Sequence, residues 1–264
     1  MSKNVIWWPA LNNPNHSDKY GGFGYFEHSR KAWEYWCKKN DCIFVPFTEP
    51  VENDFTKFRP QWQKCLFVFD ELERMGIEYD QIALVDSTAT PHWDCPNFFE
   101  LTDRKFTAFR DMDNLKWVYE SVEGYNDMFE PFIFDMSKYF NSGFMIFNEK
   151  HKHIFTSLKE FYYENMDDFI QRQDVSVKKG NDQTPINFLT RQHDIELKWL
   201  PNAYNLHDPY RKNLLHLDPS NWWPDNLDNL FKSGWVYHFN AVPANRMDRH
   251  AGYWIERTFK ELYS

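Results

Sequence analysis

The sequence predicts an α/β fold in which a mostly parallel central sheet is flanked by helices. Short apolar strands alternate with amphipathic helical stretches, and the polar residues best suited to chemistry follow the strand ends. Size agrees, since 264 residues of which 42% are hydrophobic can bury one sizeable core. Residues 1–264 are therefore read as a single domain.

The elements follow in chain order. Val5 to Trp8 reads as a buried strand that enters a polar loop, Asn12 to Gly24, carrying Asn, Pro and Gly turn signals. Phe26, Ala32, Trp33, Trp36 and Cys37 fall at helical spacing over Tyr25 to Lys39, and Cys42 to Val45 is the next strand. Pro60 opens a second helix through Trp62, Cys65, Leu66, Phe69, Leu72 and Met75, with Gly76 as its stop. Gln81 to Val85 is a strand ending at Asp86. Phe98 to Pro131 reads as irregular helix with acidic turns, and Phe140 to Phe147 as a strand.

A helix is expected over His153 to Arg172, where Phe155, Leu158, Phe161, Tyr162, Met166 and Phe169 recur every three or four residues. Lys178 to Asn181 marks a turn, and Asp182 suits the start of a further helix through Ile186, Phe188 and Leu189. Leu197 to Leu200 and Trp235 to Phe239 read as strands, Asn202 to Asp228 as mostly loop, and Tyr253 to Leu262 as a terminal helix.

Composition narrows the function classes. The net charge of -9 argues against affinity built on neutralising nucleic-acid phosphates, which needs clustered Lys and Arg. No apolar run approaches the roughly 18 residues of a membrane helix, so a soluble protein is expected. Cys37, Cys42, Cys65 and Cys95 form no CxxC pair, which fits reduced thiols in a cytoplasmic setting. Aromatic residues make up 19%, enough to serve both core packing and sugar stacking.

Asp86 is the first residue suited to chemistry, because a carboxylate at the end of a buried strand can offer oxygen to a hard divalent cation bridging phosphates. Taken alone it reads as a cap on the following turn. His238, between Tyr237 and Phe239, alone reads as a core histidine. Five segments in order change that balance: Val85-Asp86-Ser87-Thr88, Phe140-Asn141-Ser142-Gly143-Phe144, Asn181-Asp182-Gln183, Leu200-Pro201-Asn202-Ala203-Tyr204-Asn205 and Tyr237-His238-Phe239-Asn240.

In this order the chain resembles glycosyltransferase family eight, the glycogenin and galactosyltransferase group, from the first strand to about Arg246. The resemblance implies the GT-A fold, a uridine diphosphate glucose or galactose donor, a glycan, lipid or protein acceptor, and retention at the anomeric carbon. It implies manganese, or else magnesium, held by Asp86 and His238. The family pairs its first acid with a second two residues on, and here Thr88 stands in that place, removing one anionic ligand.

By the same resemblance Asp182 and Gln183 stabilise the reacting sugar carbon. Ser87, Thr88, Asn141, Ser142 and Lys64 face the donor, Tyr20 stacks on the base, and Arg246 stands in for a phosphate-gripping Lys. Two rival readings are a carbohydrate-binding protein on the same fold, favoured by Thr88, and a nucleotidyltransferase. The second lacks the expected Gly-rich phosphate loop, since Gly21-Gly22-Phe23-Gly24 has no Gly-Lys-Ser/Thr ending.

Overall fold

A computed structural model describes residues 3–11, 26–112, 114–130, 133–207, 228–242 and 251–263. The chain runs β1 (Lys3–Pro9), α1 (Phe26–Lys39), β2 (Ile43–Phe47), α2 (Pro60–Leu66), α3 (Val68–Arg74), β3 (Tyr79–Val85), β4 (Ala89–Pro91) and β5 (Phe106–Ala108). It continues through α4 (Leu115–Glu123), β6 (Phe144–Phe147), α5 (Lys152–Glu164), α6 (Met166–Gln171), α7 (Gln183–Gln192), β7 (Leu197–Trp199), β8 (Val236–His238) and α8 (Ala251–Tyr263).

Six strands form the central sheet in the order β2-β1-β3-β6-β5-β7. Neighbours are parallel except β6, which runs antiparallel to both β3 and β5. β4 and β8 pair separately, with Ala89 opposite His238. The α/β class and the mostly parallel sheet flanked by helices agree with the sequence reading.

The side-chain alternation of β1 and β3 explains the layering. Val5, Trp7, Ile82 and Leu84 pack on one face with Trp62, Phe69, Phe155 and Phe188 from the helices α2, α3, α5 and α7. Ile6, Trp8, Ala83 and Val85 face the other way, onto Trp33 and Trp36 of α1. A third cluster joins Tyr237 and Phe239 to Trp254 and Ile255 of α8. With both faces covered, the buried runs Val5–Pro9 and Ile82–Val85 are apolar at every position, as expected of buried parallel strands.

Several elements differ from expectation, each for a physical reason. The helix expected from Pro60 to Met75 breaks at Phe67, whose φ of -119° is not helical. Cys65, Leu66, Phe67, Val68 and Phe69 are all buried, and a straight helix would turn some of them to water. The helix over His153 to Arg172 breaks at Asn165, whose side-chain amide bonds Phe161 O at 2.9 Å, and ends in a π turn, Arg172–Ser176.

β5 lies within the stretch read as irregular helix. Its three residues are all fully buried, too few to show a strand period. The strand expected from Phe140 begins at Phe144, because Asn141, Ser142 and Gly143 turn their polar groups toward the cleft described next. Val236–His238 joins β4 instead of the central sheet. Among the described residues, no helix is long and apolar enough to cross a membrane.

Candidate active site

Asp86 follows directly on β3, and its backbone N–H donates to Gly143 O at 2.8 Å, extending the β3–β6 ladder by one bond. This places the carboxylate in a cleft of about 340 Å³ beyond the end of the sheet. Asp86, Asn141, Ser142, Asp182, Gln183 and His238 all line it, as does Lys64 from α2. Ligands of open α/β sheets collect at such strand ends.

A buried ammonium occupies the centre. Lys64 is 5% exposed, and its Nζ donates to Asp86 Oδ1 at 2.8 Å and to Ser142 O at 3.4 Å, with Asp182 Oδ2 at 3.4 Å. Burial alone would push the lysine pKa down, but Asp182 and then Asp86 outweigh it and the net shift is upward. Lys64 in turn overcomes the burial penalty of Asp86 and holds that carboxyl below its ordinary value. Asp182 goes the other way: burial and the nearby Asp86 charge raise it despite Lys64 and the 2.8 Å hydrogen bond from Ser142 Oγ.

His238 faces Asp86 from β8. Its Nδ1 lies 3.1 Å from Asn205 Oδ1, and Asn205 Nδ2 donates to Asn141 Oδ1 at 3.3 Å. With the Asn205 amide oriented by that second bond, its oxygen is an acceptor, so His238 carries its proton on Nδ1. The Nε2 lone pair then points at Asp86 Oδ2, 3.6 Å away, and Nε2 has no hydrogen-bond partner among the described residues. Burial lowers the His238 pKa against the pull of Asp86, favouring the neutral ring.

Gly143 makes this approach possible. A Cβ there would lie 2.4 Å from His238 Cε1 and 2.7 Å from Asp86 Oδ2, closer than any real side chain allows.

Gln183 opens α7 and is held at both ends. Its Oε1 accepts from Asn141 Nδ2 at 3.2 Å and from Ser142 N at 3.1 Å, while its Nε2 donates to Asp111 Oδ2 at 2.9 Å. Asn141 Oδ1 also takes the Gly143 N–H at 3.1 Å. One network therefore links β6, α7, the residues after β5 and the segment before β8.

Ser87 and Thr88 do not line the cleft, although Thr88 O accepts from Phe239 N at 3.0 Å and so helps seat β8. Tyr20 and Arg246 lie outside the described residues. Asp111, Asn114, Trp117, Asn205 and His207 are site residues that the sequence reading did not assign. Asn205 closes the segment Leu200 to Asn205, whose place in the order of segments marks it in the sequence without indicating its role.

No known family pattern matches the chain, and no curated protein matches it in sequence. In structure, it is similar to a glycosyltransferase involved in glycosylation of the major capsid of PBCV-1, with a TM-score of 0.53 at 10% identity, covering 97% of this chain and 99% of that one. It is also similar to the galactosyltransferase LgtC, solved with donor and acceptor sugar analogs, with a TM-score of 0.50 at 13% identity over 99% and 96% of the two chains. The glycosyltransferase GlyE of Streptococcus pneumoniae TIGR4 matches with a TM-score of 0.51 at 12% identity, and this chain spans 61% of its length. The fold, with its mixed six-stranded sheet and cleft at the strand ends, is that of the GT-A glycosyltransferases.

Proposed function

We propose that this protein is a glycosyltransferase that moves a hexose from uridine diphosphate glucose or galactose to a hydroxyl of a glycan, lipid or protein acceptor, with retention at the anomeric carbon. The observation that carries the reading is the facing pair Asp86 Oδ2 and His238 Nε2, 3.6 Å apart at the strand end, beside Asp182 and Gln183.

The pair fits a divalent cation. Two ligands each about 2.1 Å from one ion stand roughly 3 to 3.6 Å apart at ordinary coordination angles, and oxygen with imidazole nitrogen suits manganese, with magnesium as the alternative. Asp86 and His238 would hold the ion, leaving further positions for diphosphate oxygens. Charge is consistent with a cation there: among the described lining residues Asp86, Asp111 and Asp182 set three carboxylates against the Lys64 ammonium, and a diphosphate adds more negative charge. When bound, the metal would neutralise charge on the departing nucleoside diphosphate.

The chain's own residues do the rest. Lys64 keeps Asp86 ionised and places a fixed positive charge between Asp86 and Asp182. Asp182, held by Ser142 Oγ, supplies negative charge where the sugar carbon becomes oxocarbenium-like. Asn141 and Gln183 form a rigid amide wall against which the hexose is oriented. The bond from the anomeric carbon to the diphosphate breaks, a bond to the acceptor oxygen forms on the same face, and the hydroxyl proton leaves with the diphosphate. Arg246 and Tyr20 are assigned to phosphate and base by resemblance, and the cytoplasm is the setting that fits four thiols without a disulfide.

A donor panel read by thermal shift tests this. Uridine diphosphate with manganese at about 100 times Kd should raise Tm by about 5 °C or more. No shift with any uridine nucleotide contradicts the reading. Thr88 favours a second reading, sugar-nucleotide binding without transfer, which predicts the shift but no release of uridine diphosphate.

A further inference from the structure

Two imidazoles meet where the N-terminal end of α5 passes the C-terminal end of α7. His153 stands in the first turn of α5, and His193 is the C-cap of α7. Their ring centroids are 5.2 Å apart and their planes are inclined at 73°. Both residues are exposed, and neither side chain makes a hydrogen bond or ion pair among the described residues. Neither lines the cleft at the strand ends.

The backbone beneath each ring is fixed. Asn148 and His151 form the capping box that starts the turn into α5, two residues before His153. At the other side, Ile195 N donates to Thr190 O at 3.0 Å and Asp194 N to Arg191 O at 3.1 Å, with Asp194 at a φ of 50°. This pair of bonds is a Schellman stop, and it sets the backbone of His193. Leu158 of α5 shares a core cluster with Ile186 and Leu189 of α7, so the helices keep the two rings at a set separation.

We propose that His153 and His193 form a binding site for one divalent transition-metal ion of the zinc type, separate from the cleft. Two imidazole nitrogens, each about 2.0 to 2.1 Å from a zinc ion and at the tetrahedral angle, leave their ring centroids roughly 5 Å apart. The observed spacing matches that value. The inclination of the planes is no obstacle, because a ligating ring turns about its metal–nitrogen bond and the histidine χ2 is soft. Nitrogen ligands without a carboxylate favour zinc, nickel or copper over manganese and magnesium. Among the described residues no third histidine, cysteine or carboxylate joins the pair, so water completes the coordination. A bound ion ties α5 to α7, the helix that opens with Gln183 in the cleft.

The test is a calorimetric titration of zinc chloride into the full chain, native and as His153→Gln, His193→Gln and the double variant. The native protein should bind zinc at this pair. Each single variant should weaken that binding tenfold or more, and the double variant should be no more than about twofold weaker than either single, because losing one ligand already opens the chelate. Since both positions are exposed, the metal-free Tm of all three variants should stay within about 2 °C of native.

Zinc bound alike by the native protein and the three variants would place the ion elsewhere and overturn the site, as would a native protein that binds no zinc. Losses that multiply in the double variant would mean that the two imidazoles act on separate ions, which overturns a shared one. None of these outcomes touches the glycosyltransferase reading, on which this inference does not depend.

Discussion

His238 shows how much of the site depends on atoms one step away from it. A buried imidazole can offer a lone pair to the cleft only if its other nitrogen is fixed as the donor, and Asn205 Oδ1 at 3.1 Å does this. Asn205→Ala removes that acceptor and the bond to Asn141 together. Turnover of a uridine diphosphate sugar should fall on the order of 10- to 100-fold with the circular dichroism spectrum unchanged. A core histidine without a role at the cleft would leave turnover unchanged.

Lys64 carries a related lesson. Its partners Asp86 and Asp182 are distant in sequence, so nothing local marks it as a buried ammonium with three acceptors. Asp86 and His238 could be singled out because they end or follow apolar runs in a particular order. Asp111 could not, because it follows a strand of three residues that shows no period.

At the scale of elements, the site is as precise as the joint between β6 and α7. Asn187, on α7, clamps that joint: its Oδ1 takes the Phe140 N–H at 2.9 Å, and its Nδ2 donates to Phe140 O at 2.9 Å and to Gln183 O at 2.8 Å. All of this is buried, so Asn187→Ala leaves backbone groups without partners. Urea unfolding should show a loss of about 2 to 4 kcal/mol, since each orphaned buried group costs roughly 1 to 3. A loss below about 0.5 kcal/mol would mean that the joint holds without the clamp.

The turn leading into α5 contains a titrating group. His151 Nδ1 accepts from Asn148 N at 3.2 Å as half of a capping box, which requires the unprotonated nitrogen. Burial, helped by His153 and Lys150, pushes its pKa down to about 4. Because the folded value lies below the ordinary 6.5, the contribution is complete above about pH 6.5 and is lost as pH falls from there toward 4. The stability difference between native protein and His151→Gln should shrink across that window. A difference independent of pH would contradict the assignment.

These elements also mark where sequence periodicity stops informing. The breaks at Phe67 and Asn165 interrupt patterns that read as single helices, because five consecutive buried residues in one case and a side-chain amide in the other outweigh helical spacing. The short β5 and the late start of β6 at Phe144 follow from a sheet whose edge residues turn into the cleft.

For the whole molecule, alternation of strands and helices was enough to predict a mostly parallel sheet and to put the chemistry at its strand ends. The antiparallel β6 was not visible, yet it brings Asn141, Ser142 and Gly143 alongside Asp86. The fold thus supplies a cleft in which, among the described residues, Asp86, Asp111 and Asp182 accompany the Lys64 ammonium and His238 faces Asp86. As proposed above, this cleft transfers sugar from a uridine diphosphate donor. Its most direct measurement is the release of uridine diphosphate from the glucose and galactose donors with manganese, in native protein, Asp86→Ala and His238→Ala. The native protein should release it steadily, chelator should abolish the release, and both variants should be at least about 100-fold slower. Donor binding with no release, or release that both variants retain in full, would contradict the proposal.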